Sequence, residues 1–375
     1  MRLFTTSLAL LLASAPTLHA DDEIAPPRVE LAICLDTSGS MDGLIDAARQ
    51  KLWTIVNDLA TATPTPELRV ALLTFGNDGH DAAAGWVKVD SPFTTDLDLI
   101  SQALFALKTN GGTEFVGRVL DSASRLEWTK GSPGARGPET LKIAIVAGNE
   151  SAEQDTEVRF QDVCPRLIAD GVIVNSVYCG PETDEFAPAW RQVGRLADGH
   201  FATIDHNTGT IVVETPFDEA LGRLSASVNK TYLWFGTAGA VAGENQIAQD
   251  LNAFTLNSAA VAARAKTKGG GLYNNGADLV HACSTGIVDL ADVKDEDLPE
   301  EMRAQTPDER KAYLAKKEAE RKEIETEIAE LSKKRDEYVA KEMERLALAD
   351  SDSFDNAVRM AIREQASSKG FAFAD

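Results

Sequence analysis

Between residues 29 and 204 the chain alternates short apolar runs with segments whose apolar residues recur every three or four positions. That alternation restricts the fold more than any other feature of the sequence. Strand-length runs fall at 29–35, 68–75, 85–90, 141–146, 172–178 and 200–204. Between the first two, Leu44, Ala48, Leu52, Ile55, Val56 and Leu59 share one helical face. Further helices fit 97–107, 115–126, 158–169 and 186–197. The run 68–75 is nearly all apolar, as expected of a strand covered on both faces. Alternating strands and helices imply an α/β fold, a doubly wound, mostly parallel sheet with helices on both faces. Such sheets bind ligands at the carboxyl ends of their strands, beside the topological switch point. The first strand ends there in Asp36-Thr37-Ser38-Gly39-Ser40.

Beyond residue 205 the pattern changes, which divides the chain into a sheet domain (28–204), a mixed, mainly helical region (205–295) and a charged C-terminal part (296–375). Residues 208–216 read as a linker or short strand, 217–228 as a helix, and 246–268 as an Ala-rich helical stretch. Gly269-Gly270-Gly271 lacks the Lys-Ser/Thr of a phosphate loop and reads as a hinge or turn. Thr306-Pro307-Asp308-Glu309 is a helix start, with a capping Thr, Pro at the first helical position and Glu three residues after the cap. The helix that follows, to about residue 348, carries a thin apolar stripe of Ile324, Ile328, Leu331, Tyr338 and Leu346. Arg335 and Glu342 stand where a heptad wants apolar residues, which favours a solvated helix packed through one narrow face over a coiled-coil dimer. Residues 353–368 fit one more short helix.

The formal charge of −22 argues against a nucleic-acid or anionic-membrane surface. The first twenty residues read as an export signal: Arg2, an apolar run from Leu8 to Ala15, and Leu18-His19-Ala20 before Asp21. The run is too short and interrupted to span a bilayer, which needs roughly 20 apolar residues, and nothing later in the sequence is long and apolar enough. The expectation is a periplasmic or secreted protein without stable membrane insertion. Cys34, Cys164, Cys179 and Cys283 have no zinc-site spacing. Cys164 and Cys179 flank one helix-to-strand connection but lie near opposite ends of the unit, which disfavours a bridge.

Alternate side chains of a tight turn point the same way, so Asp36, Ser38 and Ser40 converge as one carboxylate and two hydroxyls. This all-oxygen set suits Mg²⁺ or Mn²⁺. Asp36-Thr37-Ser38-Gly39-Ser40-Met41 resembles the DxSxS signature of the von Willebrand factor type A family, whose fold is a doubly wound sheet bearing a metal-ion-dependent adhesion site. The resemblance implies that Thr113, in Gly111-Gly112-Thr113-Glu114, is the second-loop ligand. It also implies a third-loop aspartate, where this chain has Asn149 and Glu150. Asn149 would supply a neutral oxygen and weaker affinity; Glu150 would restore the charge on a longer arm. The stretch 298–303 (LPEEMR) and the capped helix after it resemble the tails of bacterial secreted proteins carrying this domain.

The function implied is metal-dependent binding of a protein partner that offers an acidic side chain to the open position of the ion. A degenerate domain with a metal-independent structural or interaction role is the alternative. A metal-assisted hydrolase is the remaining class, but no histidine is placed by sequence beside Ser38 or Ser40 and no GxSxG elbow occurs. The expectation is therefore a protein that is not an enzyme. His80, with Asp78 and Asp81, lies on a loop at the same edge, where it could hold a second cation or simply be solvated. Asn229-Lys230-Thr231 matches a glycosylation acceptor, a short pattern common by chance.

Overall fold

The computed structural model describes residues 27–130, 140–204, 212–346 and 354–373. The expected export signal lies outside these residues, as does part of the expected linker. The first part of the chain runs β1 (Arg28–Asp36), α1 (Asp42–Leu59), β2 (Ala62–Thr63), β3 (Glu67–Phe75), β4 (Val87–Thr94), α2 (Leu97–Ala106), α3 (Val116–Ser124), β5 (Leu141–Gly148), α4 (Phe160–Ala169), β6 (Val172–Tyr178), α5 (Ala187–Leu196) and β7 (Phe201–Thr203). Six of these strands form one sheet in the order β4-β3-β1-β5-β6-β7. All pairs are parallel except β3 with β4.

Alternate residues of β1 serve opposite faces. Val29, Leu31, Ile33 and Leu35 join the core under α1 and α2, while Ala32 and Cys34 join the core under α3, α4 and α5. The sheet is therefore doubly wound, as the alternation implies. β4 departs from the expected 85–90 strand: it is longer and antiparallel. The connection 76–86 is too short for a crossover helix, so the chain turns straight back along β3.

The chain continues with α6 (Asp218–Asn229), α7 (Gly236–Leu256), α8 (Ser258–Lys268), α9 (Leu279–Ser284), α10 (Glu300–Arg303), α11 (Pro307–Arg345), α12 (Phe354–Ser368) and β8 (Ala372–Phe373). The stretch expected as one helix over 246–268 is two. Asn257 has an extended backbone, ends α7, and caps α8 by accepting a hydrogen bond from the Ala260 amide. α7 begins earlier than its Gly-rich sequence suggests because those glycines pack against Trp234. A Cβ on Gly243 would sit 2.8 Å from the indole, so tertiary contact overrides weak helix propensity. Thr306 and Glu309 form the expected capping box of α11. Ile328 of α11 is buried against Leu221, Ala262 and Ala265 of α6 and α8. Arg335, a residue that breaks the heptad, instead pairs with buried Asp218 at 2.8 Å.

Two contacts tie this helical part to the sheet. At the first, Arg264 of α8 is 1% exposed and bonds Asp98 of α2 at 2.7 Å and Asp250 of α7 at 2.5 Å. Its guanidinium lies 4.8 Å from the Trp53 ring centroid. Lys268, also 1% exposed, reaches Asp250 at 2.9 Å and Asn229 at 2.7 Å. Asn229 also donates to Asp250 at 2.6 Å, so the side chain of the glycosylation pattern is engaged in this seam. At the second, α12 returns to the sheet. Val358, Ile362 and Ala366 enter the core beneath α1. Gln365 and Asn175 of β6 exchange hydrogen bonds at 2.7 and 3.0 Å, and Arg363 binds Asp58 of α1 through two bonds. β8 pairs antiparallel with β2. All four cysteines are free thiols, Cys164 and Cys179 included. Among the described residues no helix is long and apolar enough to cross a membrane.

Candidate functional site

β1 lies between β3 and β5, so its carboxyl end is the switch point where chain departs to either side. Asp36 is the last residue of β1, opposite Phe75 of β3. The first loop turns at once: the Ser38 amide donates to Asp36 Oδ1 at 2.7 Å, and the Met41 amide to the Ser38 carbonyl at 3.2 Å. α1 starts immediately after.

The second loop crosses the top of the sheet from α2 on one face to α3 on the other. It is pinned to the first loop by two main-chain bonds, Asn110 N–H to the Thr37 carbonyl (3.0 Å) and Gly39 N–H to the Gly111 carbonyl (3.0 Å). Thr113 then bridges to Gly76 at the end of β3. The third loop leaves β5 beside β1. Its Asn149 side-chain amide donates to Ser40 Oγ at 3.0 Å, and Ser38 and Ser40 hydroxyls are hydrogen-bonded at 3.3 Å. The Glu150 carbonyl accepts the buried Trp190 indole N–H at 2.8 Å. Three segments far apart in sequence thus meet over one carboxylate.

Burial grades across the cluster. Asp36 is 0% exposed and Ser38 is buried; Thr113 and Asn149 are half-buried; Ser40 and Glu150 are exposed. Asp36, Ser38, Ser40 and Asn149 are joined by the contacts above, and the Gly76 bridge brings Thr113 to the same edge. Glu150 belongs to the rim by its backbone, with its side chain in solvent.

Glu114 was not foreseen as a site residue. It is 3% exposed, and its carboxyl lies against Asp36 and Ser38. Gln154 of the third loop holds its amide at 3.1 Å. Its burial follows from the loop crossing, which local sequence does not reveal; the acidic residue directly after the expected threonine was the available signal. Two glycines make room. A Cβ on Gly76, whose φ is +81°, would lie 2.7 Å from Asp36 Oδ1 and 2.9 Å from Glu114 Cγ. A Cβ on Gly148 would lie 3.1 Å from Asp36 Oδ2.

The electrostatics are unbalanced. Burial, followed by the charge of Asp36, holds the Glu114 carboxyl far above the usual carboxylate range; burial likewise raises Asp36. Each carboxyl is therefore harder to ionise than an exposed one. Among the described residues no Lys, Arg or His forms an ion pair with either. No donor meets the enclosed Asp36 Oδ2 with hydrogen-bond geometry.

His80, Asp78 and Asp81 do not act together. His80 Nε2 is hydrogen-bonded to Thr74 Oγ1 at 2.9 Å, and Asp81 caps a short helical turn through the Ala83 amide. No group of three His, Cys, Asp or Glu side chains among the described residues is arranged to hold a metal. The first-loop cluster draws instead on hydroxyl and amide oxygens around two carboxyls.

In open doubly wound α/β sheets, ligands bind at the switch point, where the three loops gather here. Residues 30–201 match the family model described as the von Willebrand factor type A domain. Its members generally act as interaction modules, often metal-dependent. Similar solved structures include a von Willebrand factor type A protein from Catenulispora acidiphila (22% identity, 49% of this chain and 40% of that one, TM-score 0.36). Others are proximal thread matrix protein 1 from the mussel byssus with a zinc-occupied MIDAS motif (16%, 48% and 42%, 0.35) and the pilus adhesin SpaC from Lactobacillus rhamnosus GG (14%, 48% and 28%, 0.35). This chain thus spans less than half the length of each. The curated proteins contain no match.

Proposed function

We propose that the loop cluster is a divalent-cation-dependent docking site for a protein partner presenting a carboxylate. The observation that carries this reading is Asp36 Oδ2, fully enclosed and without a hydrogen bond, beside a second buried carboxyl with no cation of the chain's own. A buried charge left unpaired costs several kcal/mol by order of magnitude. Bound Mg²⁺ or Mn²⁺ would supply the missing positive charge and an open coordination position for an incoming acid.

The residues present fit such an ion. Asp36, Ser38, Ser40 and Thr113 offer hard oxygens. On the third loop, Asn149 stands against Ser40, and Glu150 lies at the rim where an arriving partner would meet it. The 36–41 loop is fixed by its own amide bonds and by Gly111, so these groups are held in place before any partner arrives. The same reading places the protein in the periplasm or outside the cell, supported by the charged start, apolar run and cleavage-type residues of 1–20.

One observation favours the metal-independent alternative. Asn149 and Ser40 bond to each other and so close the loop with no ion. Titration with MgCl₂ and MnCl₂ after EDTA treatment separates the two. Wild type is expected to bind and to melt at higher temperature with the ion, and Asp36→Ala to do neither. A chain whose melting ignores both ions supports the metal-independent role.

A further inference from the structure

The third loop brings no buried anion to Asp36: its one buried carboxylate among the described residues, Asp155, is taken up by Arg118 at 2.6 Å. The Asn149 side chain is neutral, and both ends of its amide are turned on Ser40, at 3.0 and 3.4 Å. Glu150 is fixed through its backbone by Trp190, and its side chain is exposed. The buried anion stands on the second loop instead. Glu114 is anchored at its amide by Gln154, and its carboxyl rests on Asp36 and Ser38. The space it fills exists only because residue 76 has no side chain, since a Cβ there would strike both acids.

We infer that Glu114 is the second anionic ligand of the cation site, replacing the missing third-loop aspartate, and that Asn149 acts as a latch on Ser40. This rests on the cation reading above and deepens it. A glutamine or leucine would fill the same enclosed volume without the cost of a buried charge. Retaining an acid against an already unpaired Asp36 Oδ2 makes sense where an ion compensates both. Two carboxylates fall within the one or two that Mg²⁺ commonly takes from its host. On this arrangement the ion is held between the first and second loops, and the third loop is left free to answer the partner.

The test is calorimetric titration of the full chain with MnCl₂ and MgCl₂ at one pH, on wild type, Asp36→Ala, Glu114→Gln, Glu114→Asp and Asn149→Ala. Circular dichroism confirms that each is folded. Glu114→Gln is expected to weaken binding by at least about tenfold, while Asn149→Ala changes it by less than roughly threefold. If Glu114→Gln does not fold, Glu114→Asp, which keeps the charge on a shorter arm, is expected to weaken binding by about threefold or more. Glu114 variants within about twofold of wild type, with Asp36→Ala inactive in binding, would overturn the relocation and leave the cation site standing. Loss in Asn149→Ala equal to that in Glu114→Gln would return the ligand to the third loop. A wild type that binds neither ion would remove both readings.

Discussion

The loop cluster over β1 and the seam around Arg264 both bury carboxylates, and they neutralise them differently. In the seam, Asp98 and Asp250 meet Arg264 and Lys268, with Tyr273 donating to Asp98 and Asn229 to Asp250. Every charge there has a partner supplied by the chain. Over β1, Asp36 and Glu114 face each other with hydroxyls and amides around them and no counter-charge among the described residues. The same fold thus shows how it stabilises buried acids when their role is structural. The absence of such partners at the switch point is what the proposed cation would answer.

The largest expected effect tests the seam. Arg264→Met leaves Asp98 and Asp250 short of a cation and should cost about 3–5 kcal/mol in urea unfolding, with or without Mg²⁺. A loss well below this would mean that the seam is no better balanced than the loops. Next comes the ion. Mg²⁺ at about 100 times its Kd should stabilise wild type by about 2.7 kcal/mol. Asp36→Asn should cancel that gain and, in EDTA, raise stability, because it removes a carboxyl whose charged form burial disfavours. If Asp36→Asn instead destabilised the ion-free protein, the two regions would not differ as described.

The smallest effect is a pH slope. Burial alone would raise the Asp250 carboxyl, but the Arg264 and Lys268 charges outweigh it and hold the group below its ordinary value. A depressed folded value stabilises above the unfolded value of about 3.9, and that stability is lost as pH falls through the folded one. Urea unfolding should show stability falling as pH drops below about 3.9, with a shallower fall in Arg264→Met. The loop carboxyls have the opposite sign. Raised in the folded state, they stabilise the ion-free protein most at low pH and lose that contribution as pH climbs past about 4.

Much of the sheet was legible because period two and period 3.6 are local signals. The run 172–178 is β6 residue for residue, and the capping residues before Pro307 mark α11 at its start. Asp36, Ser38 and Ser40 were legible as a tight turn at a strand end. What escaped depends on contacts between distant residues. The docking of α12 rests on pairs such as Asn175 with Gln365, each an ordinary polar residue in its own neighbourhood. Glu114 reads locally as a solvated helix-start acid, and only the passage of the second loop over β1 buries it. The break at Asn257 was readable, since Asn before Ser-Ala-Ala is a helix-capping pattern.

The return of α12 sets an order of events during synthesis. A ribosome makes every strand of the six-stranded sheet, then the whole of 212–346, before it makes the helix that packs beside α1 and against β5 and β6. Until then the part of that face left open by α1 and α2 stays bare, a state prone to sticking to its neighbours. Of the described helices α12 is the latest made, so that face closes only after the rest of the domain has left the ribosome.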